Sequence, residues 1–537
     1  MARKSSVLFI KKWGNRIIIV AIILEMFFWP SLENLAGCGM TWICWSLFRK
    51  IGLNETIIKE HIFVWLVFLS MSLYRILPLL ATLVEFNSIG YNFRVPFDTY
   101  LGETVLYLFS ALAFYCATRS HNALRKLKSL LYRYGLYDRV SNKTIWILGL
   151  MGLAIRFYLM GTHVQIGDVI GKTLAGFLFF QYAPLILFFP SLYSNSQKQN
   201  DIVVRNRLAT FYFIFIILLA FSTNSRYAIL EPFGTFALLF VLSYVQHKTS
   251  TRQLINKKYI IYAALAIIFF VPFVSDVSLA MIANRNIRSE VSASELLKST
   301  LNTYLDRDKM ELLRRLKEQK GVEGLKEEEW TEIYVSNFAL NRYCNLKVTD
   351  NTLYHAERVG FNNEVMYNDY WNRVLGLLPM PILKELGINY NKNEIFSRGD
   401  LLKSLSLNVP IFASLLVTSH LADGLATFGF FYFPLECLLM YLRFLFLDTF
   451  LIIRNNRVQY SILGLITIFS FLAMFRNASG GCDSLGYLLR GYWQDVILFI
   501  ICFFDKNRHK AQRKAKFYIN KCRSASCMQS GWKRTSA

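Results

Sequence analysis

The sequence predicts an all-α fold: a polytopic membrane helical bundle of about twelve transmembrane helices with one large extracytoplasmic loop. Three observations carry that expectation. Of 537 residues, 54% are hydrophobic and only 18% are charged, where a soluble protein carries about 25% charged residues. The charges gather in short blocks, separated by apolar runs of roughly 15–25 residues, the length that crosses a hydrocarbon core of about 30 Å. The runs are continuously apolar rather than alternating, which excludes a β-barrel.

The net charge of +24 raises the question of nucleic acid, and its placement answers it. The N-terminus holds Arg3, Lys4, Lys11, Lys12 and Arg16 with no acid. The loop after the fourth apolar run holds Arg119, Arg125, Lys126, Lys128, Arg133, Arg139 and Lys143 against Asp138. Ten further Lys or Arg follow Cys502. Such blocks at alternate ends of the runs are the positive-inside signal of a threaded membrane protein. Binding of anionic lipid is a secondary use for them.

Threaded by that rule, the spans fall near 17–31, 34–48, 62–84, 101–118, 144–160, 173–193, 208–222, 227–245, 259–280, 426–453, 458–475 and 484–504. The first two read as a hairpin broken at Pro30-Ser31, and the count then leaves both termini cytoplasmic. Residues 1–30 read as an uncleaved signal-anchor, because no small-x-small site follows the apolar stretch. The chain divides into an N-terminal transmembrane bundle (1–281), an extracytoplasmic loop (282–425), a C-terminal transmembrane bundle (426–504) and a basic cytoplasmic tail (505–537). In the loop, Leu297, Leu301, Tyr304, Leu305, Leu312 and Leu316 recur at helical spacing and predict a helix over 294–321. A second helix is expected over 326–340. A long loop with helices of its own points to function rather than to a linker.

The nine cysteines form no CxxC pair, and only Cys344 and Cys482 fall outside the spans and the tail. The seven histidines are isolated. No His/Cys/acid group has metal-ligand spacing, and GxSxG, Walker and HExxH motifs are absent from the sequence. The chemistry must therefore be sought in polar residues at the outer membrane boundary, with no cofactor and no metal expected.

Those residues are few. Ser225 and Arg226 lie in "FSTNSRYAIL", between two apolar runs and on the side where positive-inside gives no reason for a cation. Arg285 and Arg288 leave the ninth span on the same side. Arg373 stands in "YWNRVLGLLPMP", His420 and Asp423 in "TSHLADGLATFG", and Arg476 in "FRNASGG". The arginine fork suits phosphate oxygens, so such a cluster could hold a lipid-linked diphosphate. The plainer reading is that each arginine snorkels or pairs with an acid. His420 and Asp423 become neighbours on a helix and are candidates for the general base; their plainer reading is a polar loop capping the next span. Asp369 is a further candidate base. Glu25, Arg75, Arg156 and Glu231 are costly in lipid and should face the bundle interior as structural pairs.

"STNSRYAIL", together with "SHLADGLATFGFFYFPL" (419–435) and the preceding "LPMPILKELGIN", resembles the Wzy-type O-antigen and exopolysaccharide repeat-unit polymerases. In that family an arginine follows a small polar residue between two middle spans, and a late extracytoplasmic loop leads into the last group of spans. The helical insert at 294–345 is longer than the family pattern. The resemblance implies a metal-independent integral-membrane glycosyltransferase of the bacterial inner membrane, with the loop periplasmic. It would polymerise undecaprenyl-diphosphate-linked oligosaccharide repeat units into O-antigen, capsule or exopolysaccharide, alongside a chain-length regulator and a flippase. Arg226 would then stabilise the leaving diphosphate, with Ser225, Arg285, Arg288, Arg373 and Arg476 binding substrate and His420 and Asp423 serving catalysis. An O-antigen ligase, with His355 or His420 as its loop histidine, a glycan flippase and a non-catalytic scaffold are the rival readings.

Overall fold

The computed structural model describes residues 6–120, 123–138, 140–161, 169–193, 207–221, 226–247, 276–277, 279–281, 283–284, 293–322, 330, 334–335, 341, 344–378, 380–388, 397–411, 414, 416–454, 457–473 and 482–502. Among them, five helices are long and apolar enough to cross a membrane: Ile62–Val84, Pro96–Ala117, Asn142–Met160, His420–Phe450 and Asp483–Cys502. The chain is thus a largely helical, membrane-embedded protein. Shorter apolar helices at Thr173–Phe188, Arg207–Ala220 and Leu230–Ser243 match further expected spans in position. The span expected near 259–280 falls largely outside the described residues.

The expected N-terminal hairpin is present. Helices Ser6–Phe28 and Leu32–Leu47 meet across Trp29–Ser31, and Ser31 caps the second by accepting from the Asn34 amide at 3.0 Å. Both pack on Ile62–Val84, which is also bound by Pro96–Ala117. Phe68 of the former helix stacks on Tyr107 and Phe114 of the latter, with centroids at 5.6 and 4.1 Å.

Helix Asn142–Gly161 packs most heavily on the 3-10 segment Leu178–Phe188. Gly149 lies against the Pro184 ring and Gly152 against the Gln181 backbone, so a Cβ at either would collide. Small residues let two backbones approach in this way. In a 3-10 segment, Pro184 lacks the N–H that would bond to the Gln181 carbonyl. The Tyr212 hydroxyl supplies the donor instead, at 2.9 Å.

Four expected elements differ. The span placed at 458–475 begins as a strand: Leu451–Arg454 pairs antiparallel with Arg457–Tyr460, and short helices Ile462–Ile466 and Ile468–Ala473 follow. The loop helix placed at 294–321 is two helices, Ala293–Leu305 and Arg307–Val322. They break at Asp306, whose carboxylate accepts from the Lys309 amide at 3.1 Å and so starts the second helix. The helix expected over 326–340 is not formed at its described positions, Trp330, Tyr334 and Val335. Their geometry is fixed by side chains: Tyr334 and Val335 amides donate to Asn341 Oδ1 at 3.3 and 3.2 Å, and the Tyr334 hydroxyl donates to the Ile89 carbonyl at 2.6 Å.

The tenth expected span starts earlier than 426. Its first helix, His420–Phe428, is capped by Ser419, which accepts from the Ala422 amide at 3.1 Å. It ends at Gly429 (φ +57°), a left-handed position suited to glycine. The chain continues through a 3-10 turn into Tyr432–Leu447.

Candidate functional site

One helix of the 282–425 region decides where the site lies. Leu346–Val359 ("LKVTDNTLYHAERV") is polar, yet Lys347, Thr349, Asp350, Asn351, Thr352 and His355 are buried in it. It is wedged against Ile62–Val84, Pro96–Ala117, Arg398–Leu407 and His420–Phe428. Buried polar groups need partners, and most have them. Arg75 and Glu103, from two spanning helices, pair at 2.6 Å. Thr349 donates to Glu103 at 2.9 Å and meets the Tyr74 hydroxyl at 2.9 Å. Thr352 meets Ser419 at 3.0 Å. Asp350 accepts the backbone amides of Arg94 and Val95, each at 2.8 Å, and the Lys347 ammonium at 2.8 Å. Lys347 also donates to the Asn92 carbonyl. Burial pulls the Lys347 pKa below its usual value, against the opposing pull of Asp350.

Among the described residues, two buried polar groups of this helix lack a hydrogen-bond partner: both amide atoms of Asn351 and Nε2 of His355. They stand one helical turn apart and share a face. His355 Nδ1 is engaged by the Ser406 hydroxyl at 2.8 Å, and the Trp330 indole stacks on the imidazole at 5.2 Å and 16°. The surroundings are cationic. The Arg94 and Arg358 guanidiniums converge on the Tyr354 ring, at 4.8 and 5.6 Å. Burial, and then the charges of Arg94, Lys403 and Arg358, push the His355 pKa down to about 4, so the imidazole is neutral near pH 7. Two residues on, and so turned to another face of the helix, the exposed Glu357 is pushed up to about 7 by partial burial and by the carboxylates Asp98 and Asp350. A cation-rich helix edge, with a carboxyl titrating near neutrality on the same helix, has the chemistry to bind an anion and move a proton.

The residues expected from sequence fare differently. Asp423 is fully buried and belongs to an ion ladder. Arg398 donates to Asp423 at 2.7 Å and to Asp369 at 2.8 Å, and Arg373 donates to the same Asp369 oxygen at 2.7 Å. The ladder ties helices Glu364–Leu375 and Arg398–Leu407 to His420–Phe428. Arg373, Asp369 and Asp423 thereby take the pairing role. His420 and Asp423 share a helix as expected but turn to different partners. His420 is buried with Nδ1 3.9 Å from Glu436, which accepts from Ser484 at 2.8 Å. Ser225, Arg285, Arg288 and Arg476 lie outside the described residues; Arg226 opens helix Arg226–His247, and its side chain is likewise outside the description.

The polar interior residues are where sequence placed them. Arg75 pairs with Glu103, Glu25 accepts from the Ile89 amide at 2.8 Å, and Arg156 donates to Gln181 at 3.0 Å. Glu231 accepts from the Tyr182 hydroxyl at 2.8 Å. Cys344 is buried. Sequence reasoning missed Arg94, Asn351, Glu357, Arg358 and Lys403, and met His355 only as a rival reading. The available signal was a helix-length stretch in which polar residues outnumber the apolar Leu346, Val348, Leu353, Ala356 and Val359. No family model matches the chain, and neither a curated protein nor a solved structure matches it.

Proposed function

We propose that the chain is an integral-membrane glycosyltransferase of the Wzy type, which polymerises undecaprenyl-diphosphate-linked repeat units into a surface polysaccharide at the outer face of the bacterial inner membrane. One observation carries the reading: Arg94 and Arg358 converge on Tyr354, beside a buried His355 that also feels the charge of Lys403, on a polar helix packed against two helices long enough to cross a membrane. A lipid-linked diphosphate demands that combination, with the prenyl chain in lipid and the charge met by fixed cations at its edge.

In this reading the acceptor hydroxyl attacks the anomeric carbon of the donor, and the carbon–oxygen bond to the lipid diphosphate breaks. Charge develops on the departing diphosphate, where Arg94, Arg358 and Lys403 oppose it. Glu357 takes the hydroxyl proton, and its pKa of about 7 suits a base working near neutrality. Arg226, which follows "NS" in the sequence and opens helix Arg226–His247, is proposed as a further ligand of the diphosphate. A chain-length regulator and a flippase would share the membrane.

The position of His355 also favours the ligase reading, since that chemistry uses a loop histidine. Glycan length in a deletion strain separates the two readings. Complementation by the wild type should restore long polymer, and Arg94→Ala, Arg358→Ala and Arg226→Ala should each leave single repeats attached. The expected cost is on the order of 2–4 kcal/mol of transition-state stabilisation per lost donor. Long unattached polymer in the deletion strain would make the chain a ligase. Normal polymer from the Arg94→Ala, Arg358→Ala double variant at normal protein level would remove the site.

A further inference from the structure

We infer that helix Arg125–Arg133 and strand Leu451–Arg454 form a docking surface for anionic phospholipid headgroups at one end of the bundle. The helix has two faces. Leu127 and Leu131 pack on the hydrophobic core, Leu131 at 2% exposure. Arg125, Ser129 and Arg133 recur at four-residue spacing on the opposite face, with Lys126 beside them, and all four are exposed. The helix contains no acid, although exposed bases on a helix are ordinarily steadied by acids three or four residues away. Of its bases, Lys128 alone is held by a carboxylate among the described residues, Asp448 Oδ2 at 2.7 Å.

The strand adds a further cation at the same place. Arg454 is exposed; its guanidinium donates to the Tyr132 hydroxyl at 2.6 Å and lies 5.6 Å from the centroid of that ring. Other links fasten the two elements' surroundings together. The Ser120 and Tyr441 hydroxyls meet at 3.2 Å, and the Tyr137 hydroxyl donates to the Thr449 carbonyl. The cations are therefore fixed side by side and repel one another. An anion lying across them relieves that repulsion, and the arginine forks suit phosphate oxygens.

The apolar groups decide which anion. Leu130, Tyr132, Tyr134 and Ile453 are 43–47% exposed among these cations. A nucleic acid would meet the charge and leave those groups in water. A membrane surface takes both, with tyrosines at headgroup level and bases on the phosphates. Helices Pro96–Ala117 and Asn142–Gly161, both long and apolar enough to span, flank Arg125–Arg133 in sequence and hold it at the membrane boundary. By the positive-inside rule that boundary is the cytoplasmic one, where anionic lipid is attracted to basic segments. Arg94 stands at the other end of Pro96–Ala117, about 33 Å away along its axis, so this surface is separate from the diphosphate site proposed above.

The test uses the detergent-purified full chain titrated with phosphatidylglycerol or phosphatidylcholine, with retained lipids counted by native mass spectrometry. The wild type should retain phosphatidylglycerol in preference. The triple variant Arg125→Gln, Lys126→Gln, Arg133→Gln should bind phosphatidylglycerol on the order of 100-fold more weakly, and Arg454→Gln about fivefold more weakly; both should keep the wild-type affinity for phosphatidylcholine. Lys11→Gln, Lys12→Gln, Arg16→Gln removes the same charge from helix Ser6–Phe28 and should leave phosphatidylglycerol binding as in the wild type. Melting in phosphatidylcholine nanodiscs should be the same for all four proteins, which separates loss of the surface from loss of the fold. Arg454→Gln carries the test should the triple variant melt early. No preference for phosphatidylglycerol in the wild type, or unchanged binding in Arg454→Gln, would overturn the surface. So would an equal loss in the N-terminal variant, which would make the attraction a diffuse effect of net charge. Displacement of the lipid by an equal concentration of soluble glycerophosphoglycerol would overturn it too, by making the site one for free phosphate esters.

Discussion

Replacing Arg398 by methionine should unseat the loop from the bundle, and the size of the effect follows from the ladder's burial. The guanidinium contacts Asp423, Asp369, the Met366 carbonyl and the Thr427 hydroxyl at 2.5–2.8 Å. The Asp423 side chain has no solvent exposure, whereas that of Asp369 is 26% exposed. Arg398→Met therefore strands a buried carboxylate, at a cost of about 3–5 kcal/mol. Neutralising that carboxylate as well, in Arg398→Met with Asp423→Leu, should recover most of the loss, because an apolar pair of similar volume replaces a buried ion pair at little net cost. Asp369→Asn, at the wetter end, should cost about 1 kcal/mol or less. Thermal unfolding of the detergent-purified protein, with limited proteolysis between 364 and 407, reads all three. Equal losses for Asp369→Asn and Arg398→Met, or no recovery in the double variant, would refute the burial argument. Asp423 would then return as a candidate catalytic group.

Further outcomes follow from the same geometry. The kcat/KM of the wild type should rise with pH and level off above about 7, the value to which Glu357 is pushed; Glu357→Gln should abolish that limb together with most of the activity. His355 binds its proton in the unfolded chain below about 6.5, but in the fold only below about 4. Stability should therefore be lost as pH falls from about 6.5 to about 4, by roughly 3 kcal/mol. Melting profiles of His355→Gln should lack that fall. Gly152→Val should prevent helix Asn142–Gly161 from closing on the Gln181 backbone and should lower the amount of folded protein in the membrane, read by fluorescence-detected gel filtration, whereas Gly39→Val, with open space around it, should not.

What could be read from the sequence divides along a physical line. Span Ile62–Val84 was placed at its observed ends, and the Ser6–Phe28 and Leu32–Leu47 hairpin was anticipated from Pro30-Ser31, because apolar run length and helix punctuation are local signals. The hairpin of Leu451–Arg454 and Arg457–Tyr460 was hidden, since Ile, Val and Tyr at a span boundary fit either a strand or a helix. The polar helix was hidden for a stronger reason. Lys347 through Thr352 read as a solvated loop unless their partners are known, and those partners are Glu103, the Arg94 and Val95 amides, and Ser419. Two of the three lie some 250 residues away in sequence. Asp423 was singled out as a candidate base, and only the fold supplies Arg398 as its partner.

That dependence on distant partners bears on how the site works. Every polar group that fixes the pitch of Leu346–Val359 is anchored to a neighbouring element: Thr349 through Glu103 to Arg75, Asp350 to the turn that opens Pro96–Ala117, Thr352 to the cap of His420–Phe428. The face carrying Asn351, His355 and Arg358 is consequently set by the packing of spanning helices rather than by the loop itself. A shift of Pro96–Ala117 against Ile62–Val84 would move Glu103 and the Arg94 turn together, and with them both the anchor of the helix and one of its cations. Substitutions at Arg75 or Glu103, which touch no substrate in this reading, should therefore alter the site through position. They should lower kcat more than stability alone predicts, because a displacement of about 1 Å at the reacting groups costs on the order of 100-fold in rate.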